Sequence, residues 1–272
     1  MASEKSGFLG RLFGKKPSEP EEPAQVVREE LPITQPMVGL CFNYQRGLAL
    51  DSEYLSDAGL DLVLEVLDQH KLRATFNCPA KLCETAPDRL KTISEAGHEL
   101  AVLGYADESP RDLTDDALAQ MILACRNAFL NRGFQPVGFR SPHSHWDERL
   151  FKDLVKHRFV YNAEHEHAKR PYVLARGAAP LFRIPVRTDD RMLRSRREKR
   201  DLTVSKHHRV VRKAVRDRYF VTVCFHPWIL AENQLHMEHW REWLDTAIHS
   251  GAKLAAMEDV LPAKYRGAEG KL

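Results

Sequence analysis

Gly97-His98-Glu99-Leu100-Ala101-Val102-Leu103-Gly104-Tyr105-Ala106-Asp107 is the stretch on which the fold of this chain turns. An aliphatic run from Leu100 to Leu103 opens behind a Gly-His-Glu and closes on Gly104, with Asp107 four residues past Leu103. Working outward, four more segments pair an apolar run with polar residues at or near its end: Val38 to Gly47, Arg73 to Asn77, Gly138 to His143, and Val221 to Trp228. A fifth, Gly251 to Val260, closes the series. Between these short strands lie amphipathic helices. Leu60, Val63, Leu64 and Leu67 recur at helical spacing, as do Leu118, Met121, Ile122, Cys125 and Phe129. Thr114 followed by Asp115 and Asp116 supplies an N-cap and charges that suit the helix dipole. Trp240, Trp243, Leu244, Ala247 and Ile248 form a further buried stripe. Alternating strands and helices predict an α/β fold with a largely parallel sheet.

The same segments, in the same order over residues 36 to 262, resemble the polysaccharide deacetylase (NodB-homology, carbohydrate esterase 4-like) family. Gly97-His98-Glu99-Leu100 is similar to its second motif, where Leu103 and Asp107 stand at the two positions the family gives to metal-binding histidines. Phe42-Asn43-Tyr44-Gln45-Arg46-Gly47 stands where the family has Thr-Phe-Asp-Asp-Gly. Ala74-Thr75-Phe76 resembles its Ala-Thr-Phe-Phe strand, and Phe139-Arg140-Ser141-Pro142-His143 its arginine motif. Phe225-His226-Pro227-Trp228 resembles the last strand, which delivers one histidine. Tyr161-Asn162-Ala163-Glu164 is similar to a Tyr-(Asp/Ser)-x-Glu segment, and Phe182 to Asp190 to the Ile-Pro…Asp-Asp segment of an allantoinase-like branch. The resemblance implies an irregular (β/α) barrel of parallel strands, with its site at their carboxyl ends.

It also implies a chemistry against which these residues can be set. Hydrolysing an N-acyl amide needs an activated water, which the family obtains from a divalent metal held by one aspartate and two histidines. A further aspartate serves as base and the late histidine as acid. Here the base position holds Asn43, which cannot take a proton, and the metal positions hold Tyr44, Leu103 and Asp107. Arg140 and His226 match the arginine that orients the carboxylate and the acid histidine. Pro142, His143, Asp189 and Asp190 are expected to line the ligand pocket. These departures predict a non-catalytic binding or scaffold domain with no cofactor. The alternative is an active amide hydrolase on a sugar or lipid-linked sugar, using zinc in a site rebuilt from His143, His145, His165, His167, His226 and Asp107.

Composition fits one barrel. The 272 residues are 43% hydrophobic and 29% charged, enough for a full core, and a net charge of +3 says little about partners. Five cysteines without CxxC spacing point to a reducing compartment, and the lack of an export signal to the cytoplasm. Residues 1–35 read as a flexible segment, with apolar Phe8, Leu9, Leu12 and Phe13 beside basic residues and then a Pro/Glu-rich linker. Residues 36–264 read as the barrel and 265–272 as a tail.

A run from Arg191 to Arg218 sets twelve Lys and Arg against three acidic residues. Val204, His208, Val211 and Val215 give it a helical apolar stripe. Arg194, Arg196, Arg197, Arg200, Arg209, Arg212 and Lys213 are the candidate contacts for an anionic lipid or lipid-linked sugar phosphate, placing the chain on the inner face of a membrane. A carbohydrate ligand is expected from the resemblance. Nucleic acid ranks last, because no aromatic interleaving or nucleic-acid module accompanies the charge.

Overall fold

The structure, a computed structural model, describes residues 25–47, 52–176 and 179–266. The chain runs through β1 (Gln25–Glu30), β2 (Met37–Asn43), α1 (Ser52–Gln69), β3 (Thr75–Cys78), α2 (Leu82–Thr85), α3 (Pro87–Glu95) and β4 (Glu99–Leu103). Next come α4 (Asp115–Leu130), β5 (Gly138–Arg140), α5 (Leu150–Lys156), β6 (Tyr161–His165), β7 (Tyr172–Arg176), β8 (Leu181–Val186) and β9 (Thr188–Asp189). It closes with α6 (Arg197–Asp217), β10 (Phe220–Phe225), α7 (Pro227–Glu232), α8 (Gln234–His249) and β11 (Lys253–Ala255).

The strands of the described residues form one sheet in the order β1-β7-β8-β6-β5-β4-β3-β2-β10-β9, with β11 on β2. From β8 across to β9 all pairs are parallel; at the outer edge β7 is reversed and pairs antiparallel with both β8 and β1. Every residue of β2, β4, β8 and β10 is buried, as expected for parallel strands covered on both faces. No ladder joins β8 to β10 among the described residues. Instead Arg187, the single residue between β8 and β9, donates its N–H to Thr222 O of β10 at 2.9 Å. The result is a mostly parallel sheet of the irregular (β/α) barrel type that the resemblance implies, with its ladder unclosed between β8 and β10 among the described residues.

The helices bury the stripes expected of them. Helix α4 buries Leu118, Met121, Ile122, Cys125 and Phe129, and Thr114 Oγ1 accepts from Ala117 N at 3.3 Å as its cap. Trp240 and Trp243 of α8 are fully buried, and Trp240 meets the edge of Phe42, which stacks on Phe76 at 5.0 Å. Gly59 of α1 lets the start of α7 come so close that a Cβ there would lie 2.0 Å from Pro227 O. That contact seats the turn carrying His226.

Three expectations need correction. Residues 25–30, assigned to a flexible linker, pair with β7, and Arg28 bonds Glu166 at 2.5 Å; the Val26-Val27 pair suits a strand and outweighs the preceding Pro/Glu composition. The buried face of α6 is Thr203, His207, Val210, Val211 and Ala214, shifted from the predicted Val204-His208-Val211-Val215 stripe because His207 sits in the core. Tyr265, assigned to the tail, packs its ring 5.2 Å from that of Phe182. The apolar-basic residues 8–16 lie outside the described residues. All five cysteines are buried and unpaired.

Candidate functional site

Parallel strands deliver their last residues to one rim, so Asn43 (β2), Leu103 (β4), Arg140 (β5) and His226 (after β10) line one cavity of about 320 Å³. Asn43 is buried and its orientation follows from its neighbours. Asn77 Nδ2 donates to Phe42 O at 3.2 Å and to Asn43 Oδ1 at 3.0 Å. That leaves Asn43 Nδ2 as the donor to His226 Nε2, 3.3 Å away. His226 then donates from Nδ1 to Asp190 Oδ1 at 2.6 Å, while its backbone N–H bonds the second oxygen at 2.8 Å. Burial disfavours the imidazolium, but Asp190 outweighs burial and holds the pKa of His226 above the ordinary value. The Asn43 N–H, aimed at the ring's lone pair, opposes that protonation.

Tyr44, one residue on, turns away from the cavity. It is fully buried and its hydroxyl donates to Asp57 Oδ1 of α1 at 2.5 Å, with Arg46 on the same carboxylate. Burial and Asp57 push its pKa well above the ordinary phenol value, so it stays neutral. Leu103 meets the cavity with an aliphatic side chain. Asp107 is half exposed and lies 3.2 Å from His143 Nε2. His143 and Ser144 both adopt left-handed backbone conformations, with φ of 55° and 58°. The turn is held because Ser144 Oγ donates to Glu164 Oε2 at 2.6 Å and accepts from His165 N at 2.7 Å. Strain of this kind persists only where the surroundings over-determine it.

These side chains do not fit a metal. Tyr44 Oη is committed to Asp57, Leu103 has no donor atom, and Asp107 is a single carboxylate paired with His143. Among the described residues, no group of three or more His, Cys, Asp or Glu is placed to hold a metal ion. Histidines proposed for a rebuilt site are engaged with other partners: His165 bonds Asp189 at 2.8 Å, His167 meets Arg187, and His226 bonds Asp190.

The remaining wall carries Arg140, Arg191 and Arg194, together with Asp189. Arg140 is 3% exposed and donates from Nη1 to Ala163 O at 3.1 Å. Both oxygens of Glu164 are occupied by Ser141 N, Asn162 and Ser144. Burial alone would raise the Asp189 carboxyl, yet His165 and Arg191 hold it well below the carboxylate range. Arg194 stacks over the Trp228 ring at 4.8 Å and pairs with Glu232 at 3.0 Å.

Of the expected pocket residues, His143 and Asp189 line the cavity. Asp190 stands behind His226, and Pro142 packs under Gly104, where a Cβ would meet its ring at 2.6 Å. Gln45, Ser144, Arg191, Trp228 and Ile229 also line it without having been assigned there. Arg191 and Arg194 had been read only as part of the basic run, and Trp228 only as the neighbour of His226.

Residues 32–161 match the profile of a family described as Polysaccharide deacetylase. Over that stretch, just under half of its length, the chain is similar to the polysaccharide deacetylase family. A peptidoglycan deacetylase from Helicobacter pylori is 26% identical over 113 residues, 40% of this chain but only 38% of that relative's length. A crystal structure of a putative polysaccharide deacetylase from Mycobacterium smegmatis superposes with a TM-score of 0.75 at 18% identity, covering 87% of this chain and 93% of that one. A CE4 family pseudoenzyme from Bacillus anthracis gives 0.60 at 17% identity, over 86% of this chain and 68% of that one. A mutant of that protein, described as having restored enzymatic activity, aligns equally well, at 0.61 and 16% identity over 86% of this chain and 70% of that one. At these identities the structural matches speak for the fold.

Proposed function

We propose that this polysaccharide deacetylase relative is a non-catalytic, ligand-binding domain. The observation that carries the proposal is the pair Asn43 and Tyr44: an amide that cannot act as a base, beside a neutral phenol turned into α1. Activating a water for amide hydrolysis takes a Lewis acid or a base with a free lone pair near neutral pH. Asn43, Tyr44 and Leu103, at positions that match the family's base and metal ligands, offer neither. A solved structure of similar fold is described as a CE4 family pseudoenzyme, which supports the reading. What survives is a cavity with polar groups converging on it, the ordinary make-up of a small-molecule site. The test is acetate release from an N-acetylated sugar oligomer by the purified chain supplied with zinc, cobalt or nickel. No release above the metal-only blank is expected. Turnover that is lost on chelation would refute the proposal and support the rebuilt hydrolase.

A second reading rests on a separate observation. Arg209, Arg212 and Lys213 are exposed on α6, and none meets a carboxylate among the described residues, whereas Arg194, Arg197 and Arg200 each do. A surface of this kind suits anionic headgroups on the inner face of a membrane. Salt-sensitive binding to phosphatidylserine vesicles, lost when the three are replaced by Glu, is expected. Binding indifferent to salt or to the replacement would remove the reading.

A further inference from the structure

Two buried polar atoms among the residues that line the cavity have no hydrogen-bond partner: Arg140 Nε and Trp228 Nε1. Both are N–H donors. Arg140 carries a full charge, is 3% exposed, and among the described residues has no carboxylate within ion-pairing distance, Glu164 and Asp189 acting on it only from farther off. The carboxylates around it are spoken for: Glu164 by Ser141, Asn162 and Ser144, Asp189 by His165 and Arg191, and Asp190 by His226. A buried charge without a partner costs several kcal/mol, and an unmet buried N–H adds to that cost. Arg191 and Arg194 on the same wall are paired with Asp189 and Glu232, so Arg140 is the lining arginine without an ion-pair partner among the described residues. A group that only accepts hydrogen bonds and carries negative charge answers all of these at once.

We propose that the cavity binds a small organic carboxylate, held by the Arg140 guanidinium with the Trp228 indole N–H as a second donor. The proposal rests on the non-catalytic reading above and names the ligand class for it. A carboxylate meets the planar guanidinium edge-on through parallel N–H···O bonds. The cavity volume of about 320 Å³ leaves room for a body behind the carboxylate, of the size of one sugar ring. That body would rest on Leu103 and Ile229, the aliphatic part of the wall. The carboxylate could come from a simple acid or from a uronic acid, and the experiment separates the two.

Calorimetric titrations of the full chain, in carboxylate-free buffer with a chelator present, would use acetate, glucuronate, glucose and inorganic phosphate. Glucuronate or acetate should bind, glucose and phosphate should not, and the affinity should fall with added salt. Equal affinity for acetate and glucuronate marks a site that reads the carboxylate alone; tighter glucuronate marks one that also holds the ring. Trp228→Phe keeps the ring and removes the donor, and should weaken carboxylate binding about tenfold, as expected for losing a hydrogen bond to a charged group. Asn43→Asp puts a competing negative charge in the cavity and should weaken it by at least as much. Glucose binding as well as glucuronate, phosphate binding in place of both acids, no binding of either acid at millimolar concentration, or affinities unchanged in both variants would overturn the inference. Carboxylate binding seen only when zinc replaces the chelator would overturn the non-catalytic reading with it, whereas glucose binding in chelator would leave that reading standing.

Discussion

The amide of Asn43 donates to Nε2 of His226 across 3.3 Å, so the positions that match the family's base and acid are bonded directly to each other. Asn77 on one side and Asp190 on the other hold this pair in register. His226 is thereby positioned as a structural acceptor. A ring so engaged has no free lone pair to offer a substrate.

Replacing Asn43 by Asp should change the ring's charge. A carboxylate at this distance raises a histidine pKa by roughly one to three units. The His226 titration, followed by NMR, should therefore move upward from its already elevated position. An unmoved titration would show that the two side chains do not meet in solution.

Gly59→Ala should destabilise the protein, although Ala favours helix interiors by up to about 1 kcal/mol over Gly. The new Cβ would lie 2.0 Å from Pro227 O, and overpacking of this kind costs about 1–3 kcal/mol. Denaturant unfolding should show a net loss. A gain in stability would mean that α1 and α7 are not in close contact.

Tyr44→Phe removes one buried hydroxyl while Arg46 and Arg89 remain near Asp57. A loss of about 0.5–1.5 kcal/mol is expected from a single hydrogen bond. Tyr44→Asp should cost more, since it buries a second carboxylate in place of a donor. If the Asp variant were the more stable of the two by thermal melting, the outward turn of this side chain would be in question.

Two buried histidines set the acid limit of stability. Burial holds His98 down to about 4 and His239 down to about 3, with Arg73 beside the first and His207 beside the second adding to the effect. Their folded values lie below the unfolded value of about 6.5, so protons bind the unfolded chain more strongly. Stability should fall as pH drops from about 6.5, by at most about 1.4 kcal/mol per pH unit for each ring. A melting temperature measured across this range should decline, and His239→Gln should flatten the decline. A flat wild-type profile would contradict the assignment.

Much of this architecture was legible from residue types alone. Asn43, Leu103, Arg140 and His226 close apolar runs far apart in sequence, and parallel strands bring such ends to one rim. The stripe of α4 was read residue for residue because it is purely apolar with a Thr114 cap. Side-chain direction was not legible at Tyr44, since only the position of Asp57 on α1 decides that it turns away. His207 escaped notice because a histidine enters a core only when its ring nitrogens find partners, here Asp189 O and His239. Arg191 and Arg194 looked like surface charge until the folded chain set one on Asp189 and the other on Trp228.

Elemental metal analysis tests the central claim most directly. Wild-type protein and His226→Ala would be incubated with zinc, cobalt and nickel, desalted, and measured side by side. The account predicts that neither retains metal in proportion to the chain. Near-stoichiometric metal in the wild type, reduced in His226→Ala, would contradict it and restore a metal hydrolase to this barrel.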